Sequence, residues 1–581
     1  MLVAGFGATK PEPDGAVIGK GEDVKRWASV LAVMALVAVA CGGSNSTVQP
    51  SGPKNGGTLT VALDGDLHYA DPSLVSDDDS FYVANQVVQG LVGLEPGTIG
   101  QVIPVLASAL PDESADGLTY TFKLRDGIKF HDGTDFNADA VKFNYDRWTN
   151  FPKGDLQNNA AYYALVFGGF GPTSNLTSID KTDSSTVVFH LRRPQSNFLI
   201  SQTSSAFGIQ SPAAIQANDG NNPSLNANPY ALGTNGQGKA MVGTGPFMFS
   251  EWKPNDHVTL VKNPDYWDPL GRPHLDSIVF KPSASSAATL SALKSGAVDL
   301  AESLDPSDAA TAAKDSSLLV LDRGTGCNVT QLAMGNGDTV NGQANLLAND
   351  GVRFAIAAAI DKPAYIAGLY AGAARVADNW IPAGAQFYKR EYLPTYNISE
   401  SRGYLAQAGV PGSGLKVDLW YPTNAPTALL PDPKGLATAI AAHLQAAGFV
   451  VTLRTEAYSP NYLADQAAGK LQMWLQSYDC HWAGPDDFLY SAFFHYVGDL
   501  PSTTFGYKND DLNVLMLAAM ADADPAKAQV DWQKAQDMVA ADMPTVPLLN
   551  AKLPAGARSY VKGFVGAGNR TEILSSVWLD K

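Results

Sequence analysis

A chain of 581 residues with 45% apolar and 17% charged side chains can bury the cores of three or four domains and is too apolar to be largely disordered. Its formal charge of −17 argues against a nucleic-acid partner, whose phosphates require clustered Lys and Arg. The 54 Gly and 36 Pro follow no period, which excludes a collagen-like chain.

The first element is apolar. Residues 27–40, WASVLAVMALVAVA, follow Lys25 and Arg26 and precede Cys41-Gly42-Gly43-Ser44. A bilayer span takes about 20 residues, so this stretch is too short to cross a membrane and reads as the core of a signal peptide over 1–40. Residues 1–24 fit neither signal nor fold and read as an extension ahead of a later start. Ala38-Val39-Ala40-Cys41 resembles a bacterial lipobox, which implies lipidation of Cys41 and anchoring to the outer face of the cytoplasmic membrane. Residues 41–53 are rich in Ser, Gly and Pro and read as a flexible tether.

From Gly57 strands and helices mix. Residues 58–63, TLTVAL, predict a strand. Asp77-Asp78-Asp79 ahead of 80–89 predicts a helix with acidic capping, closed by Gly90. Leu118, Tyr120, Phe122 and Leu124 alternate with polar residues, and Asp126-Gly127 predicts a hairpin turn into Ile128 and Phe130. Asn137 caps a helix with Val141, Tyr145 and Trp148 on one face. A second hairpin turns at Pro254-Asn255-Asp256 between Phe247–Phe249 and Val258–Leu260. Strand 415–421, a helix bearing Leu436, Ile440 and Leu444, Gly448, strand 449–455 and strand 471–478 then alternate as in an α/β domain with a largely parallel sheet.

With Cys41 assigned to lipid, Cys327 and Cys480 remain. An exported chain sits where disulfides form, so the expectation is a Cys327–Cys480 bridge, with two buried thiols as the alternative. Neither has a second ligand at zinc spacing, so no metal site is assigned. G-x-S-x-G, H-E-x-x-H and glycine-rich dinucleotide loops are absent, no cofactor is implied, and the reading is of a non-enzyme.

Several blocks then resemble one family in collinear order. They are YTFKLRDGIKFHDG at 120–133, ADAVKFN at 138–144, LRRP at 191–194, VGTGPF at 242–247, NPDYW at 263–267 and ALKSGAVD at 292–299. VRFA at 352–355, AID at 359–361, AQAG at 406–409 and MPTVPL at 543–548 complete the series. The chain thus resembles the family 5 solute-binding proteins of peptide ABC importers. Each block also has a structural meaning: Gly243-Thr244-Gly245-Pro246 suits a strand-entry turn, and Tyr266 and Trp267 suit core anchors.

The resemblance implies an α/β, two-lobed periplasmic-binding-protein-like fold of type II with an extra domain, its mixed sheets covered by helices on both faces. Lobe I is expected at 54–90, 243–326 and 543–581, domain II at 91–242 and lobe II at 327–542. It implies hinge closure on a small solute, an oligopeptide being favoured, and delivery to ABC permease subunits by a monomer. The alternatives are a non-peptide solute such as an oligosaccharide, and a signalling lipoprotein without transport.

Ligand chemistry is expected in the loop SYDCHWAGPDDF at 477–488. Peptide-binding relatives hold the ligand's α-amine with an aspartate a few residues before the Pro. Counted from Pro485, that position is His481, mostly neutral at pH 7 and a poor partner for a cation. Either Asp479 supplies the carboxylate instead, or the ligand lacks a free amine, as an oligosaccharide stacked on Trp482 would. The alternative for His481 and Trp482 is ordinary packing beneath the loop, and Tyr478 is a neighbour. Family position adds Tyr69, Asp71, Asn379 and Trp380 as further cleft residues.

Overall fold

The computed structural model describes residues 52–581 apart from 235–238, 425–428 and 496–499. The signal peptide and Cys41 lie outside the described residues. Two large sheets and a smaller one organise the chain.

The first sheet has seven strands with Thr58–Leu63 near its centre, parallel to both Ser277–Pro282 and Leu300–Ala301. Leu59, Val61, Ala62 and Leu63 are all buried, the near-continuous apolar pattern of a strand covered on both faces. The hairpin Phe247–Lys253/His257–Lys262 forms one edge, with Phe249 opposite Leu260. Its turn puts Asn255 at φ +61°, a conformation Asn tolerates better than most residues, and Asp66 Oδ2 accepts the Asn255 N–H at 2.6 Å.

The second sheet runs Ala374–Val376, Val546–Ala551, Asn328–Met334, Met473–Asp479, Leu415–Thr423, Phe449–Ala457. Leu415–Thr423 is parallel to both of its neighbours. The helix Pro433–Ala447 buries Leu436, Ile440 and Leu444 and ends at Gly448, φ +111°. Here the structure corrects one boundary. The sequence reading assigns 543–581 to lobe I, yet Val546–Ala551 pairs antiparallel with Asn328–Met334 inside the second sheet. All six of its residues are buried, so this strand needs partners on both edges. Only at Ala555–Arg558 does the chain rejoin the first sheet. The passage between sheets is tight: a Cβ on Gly326 would lie 2.0 Å from Ala551 O.

The third unit is a four-stranded antiparallel sheet, Asp112–Glu113, Thr119–Lys123, Thr186–Leu191, Leu176–Asp183, with the helix Ala138–Thr149 packed on it. Asn137 Oδ1 accepts the Ala140 N–H, and Val141, Tyr145 and Trp148 are buried. The hairpin expected at Asp126-Gly127 does not form. Thr119–Lys123 pairs instead with Thr186–Leu191 and Asp112–Glu113. Ile128 and Phe130 close a small loop of their own through Phe136 N–H to Ile128 O and Phe130 N–H to Thr134 O.

The helix after Asp77 is also shorter than expected, Asp78–Ala84 rather than 80–89. Gln86 O and Val87 O leave the helical pattern to accept the N–H groups of Phe247 and Gly245. A Cβ on Gly243 or Gly245 would lie 2.2 or 2.7 Å from Val87 O. The Gly-Thr-Gly-Pro block is therefore a backbone junction, and His131 N–H donates to Gly243 O across it.

Asp71 and Arg147 tie the first-sheet segment to the third unit. The 2.6 Å pair has side chains 0% and 3% exposed. The guanidinium, Gln210 and Ser73 together hold the Asp71 carboxyl below its ordinary range against the desolvation that opposes them. Arg147→Ala, which leaves a buried charge uncompensated, is expected to cost about 3–5 kcal/mol. Lys142→Ala, which breaks the exposed Lys142–Asp146 pair, should cost ~1 kcal/mol or less. Urea denaturation compares the two; equal losses would refute the assignment.

Candidate functional site

The strand Met473–Asp479 delivers the loop 479–487 to the space between the two large sheets. Cys327 and Cys480 form a disulfide immediately past the strand's end, their Cα atoms 5.6 Å apart, and Cys480 N–H donates to Cys327 O. Asp487, with no side-chain exposure, organises the loop behind it. It accepts the Tyr478 hydroxyl at 2.7 Å, the His481 N–H at 2.8 Å, and lies 2.9 Å from His481 Nδ1. Burial disfavours a charged imidazole at His481, but the Asp487 carboxylate outweighs it and raises the imidazole above its ordinary value.

Trp482 points away from the space between the sheets. It is 4% exposed and packs in the core of the third unit. Its Nε1–H donates to Asp486 at 3.0 Å, and Asp486 also accepts from Asn197 Nδ2–H in that unit. The His481 ring meets Tyr162 edge-on at 5.2 Å. His481 and Trp482 line a pocket of only about 50 Å³. The expectation that Trp482 offers a stacking surface is corrected accordingly: its faces are covered by protein.

The larger cavity, about 540 Å³, lies beside this loop and has walls from both large sheets. Asp64, Asp77, Asp78, Asp79 and Arg570 come from the first-sheet side. Tyr458, Tyr462, Leu475, Ser477 and Asp479 come from the second-sheet side. Asp479 Oδ2 is 3.6 Å from Arg570 Nη2. Desolvation pushes the Asp479 carboxyl up to about 7, partly opposed by the Cys480 N–H and reinforced by the charge of Asp487. Arg570 also pairs with Asp78 and lies 3.7 Å from Glu302.

Of the residues singled out from sequence, Asp479 lines this cavity and Tyr478 supports it from behind. Tyr69 packs half-buried against the core of the third unit. Asp71 is consumed by Arg147, Gln210 and Ser73. Asn379 donates to Lys389 O and Gln536 Oε1, and Trp380 Nε1–H donates to Thr545 Oγ1 at 2.7 Å. Tyr69, Asp71, Asn379 and Trp380 line neither pocket. For the last three the reason is that burial commits their polar atoms to internal partners.

Sequence reasoning missed Arg570, Tyr458, Tyr462 and Asp64 altogether, and read Asp77–Asp79 only as a helix cap. Asp77 does cap, accepting the Ser80 N–H at 2.8 Å. The signal that something more was present is the excess of three carboxylates where one cap suffices.

The sequence profile of the bacterial extracellular solute-binding proteins, family 5, matches residues 101–498. The glutathione-binding protein GsiB of Escherichia coli O1:K1 is 29% identical over 521 residues, covering 87% of this chain and 91% of GsiB. The periplasmic binding protein DppA of Helicobacter pylori, solved in complex with the peptide STSA, is 27% identical at a TM-score of 0.69, over 91% of this chain and 99% of that one. HbpA2 of Haemophilus parasuis shares the fold at a TM-score of 0.76 with 24% identity, over 90% of this chain and 100% of that one. The two-sheet architecture around an interior cavity and a profile match across most of the chain agree: the protein belongs to the family 5 bacterial extracellular solute-binding proteins.

Proposed function

We propose that this chain is the exported, Cys41-lipidated binding component of an ABC importer, and that it captures an oligopeptide by closure of its two lobes. The observation that carries the ligand class is Asp479, a partly desolvated carboxylate on the cavity wall with a single cationic neighbour at 3.6 Å. A carboxylate so placed gains from an ammonium group brought in by a ligand. The relatives point the same way, one named for glutathione and one solved with a tetrapeptide, both peptides with a free amine. A solute touching both walls favours the closed state only by its added contacts with the second wall. No bond need be made or broken, and a permease would recognise the closed form.

Calorimetric titration with a short free-amine peptide and its N-acetylated form tests the reading. Acetylation, and separately Asp479→Asn, should each weaken binding by at least about a hundredfold, the equivalent of roughly 3 kcal/mol for an unpaired buried charge. Unchanged affinity on acetylation would defeat it.

The pH dependence has a definite sign. A bound ammonium favours the ionised form of Asp479, whose carboxyl stands at about 7 in the free protein, so binding releases a proton below that pH. Affinity should therefore fall as pH drops below 7, approaching about tenfold per pH unit. Asp479→Asn should flatten the profile between about pH 5.5 and 8; a flat wild-type profile over that range would count against the pairing.

A further inference from the structure

The cavity walls differ in kind. The first-sheet side presents Asp64, Asp77, Asp78 and Asp79, and Asp479 faces them. Among the described residues lining the cavity, Arg570 is the one Lys or Arg side chain, and Asp78, Asp479 and Asp64 already share its charge. His68 reaches Asp77 at 3.2 Å. Asp79 has no such counter-charge among the ion pairs of the described residues. Burial, Asp64 and Asp77 push its carboxyl up to about 7 against hydrogen bonds from the Asp64 and Gly65 backbone that favour the charged form, and its Oδ1 is buried without a hydrogen-bond partner. The opposite wall is largely apolar, with Pro422, Tyr458, Tyr462, Leu463 and Leu475.

Carboxylates crowded around a low-dielectric cavity raise one another's energy, and a cation entering from outside relieves it. An extended stem lies well on an aliphatic and aromatic wall while its charged head stays among the acids. We infer that the cleft selects peptides bearing a basic side chain, with the Lys or Arg head set against Asp64 and Asp79 and its methylenes against Tyr458 and Leu463. This rests on the peptide reading above and adds a side-chain preference to it. The α-amine site at Asp479 and the side-chain site at Asp64 and Asp79 are separate demands on one ligand.

Titration of the mature protein with Ala-Arg-Ala, its neutral isostere Ala-citrulline-Ala, Ala-Glu-Ala and spermidine separates the possibilities. The arginine peptide should bind at least about tenfold more tightly than the citrulline peptide, and the glutamate peptide most weakly. That ratio should shrink between about 50 and 500 mM salt, and in Asp64→Asn and Asp79→Asn. Equal affinity for the arginine and citrulline peptides, or a preference for the glutamate peptide, would overturn the inference while leaving peptide capture standing. Binding of spermidine more tightly than any of the three peptides would overturn this inference together with the peptide reading it rests on.

Discussion

Asp487 has no solvent exposure, and a carboxylate in that position is tolerable only because three groups converge on it. The Tyr478 hydroxyl, the His481 backbone N–H and the His481 ring fill its acceptor sites. Losing one would leave a buried charge short of partners, which costs far more than an exposed hydrogen bond returns. The path of the loop 479–487 follows from this constraint. With the disulfide anchoring Cys480 to Cys327, it leaves Asp479 at the cavity and sends Trp482 the other way into the third unit.

That division gives the loop two jobs on opposite sides. On one, Trp482, Asp486 and Asn197 bind the second sheet to the third unit. On the other, Asp479 meets Arg570, which also pairs with Asp78 and lies near Glu302, both on the first-sheet side of the cavity. The Asp71–Arg147 pair joins the first-sheet segment to the third unit. Each of the three units is thereby tied to both of the others by buried or half-buried polar contacts, directional enough to hold the cavity walls in register.

Much of the site was illegible in the sequence for an identifiable reason. Asp71, Asn379 and Trp380 are cleft candidates by family position, yet each satisfies its polar atoms internally. Arg570 carries no motif at all. It sits at φ +56° near the C-terminus and reaches Asp78 and Asp479, which lie about 490 and about 90 residues earlier in the sequence, respectively. The lipid anchor and leader lie outside the described residues and rest on the residue pattern at 25–44 alone.

What the sequence determined by itself was local. Period-two and helical patterns, the turn at 254–256, the Asn137 cap and Gly448 follow from backbone sterics and nearby hydrogen bonding, and the collinear blocks follow from the fold they build. Tertiary structure alone decided three matters: that Val546–Ala551 belongs to the second sheet, that Leu124 is not followed by a hairpin, and which aspartates face the cavity. Strand partners and the desolvation of a carboxylate depend on groups brought close by the whole chain, and residues adjacent in sequence do not specify them.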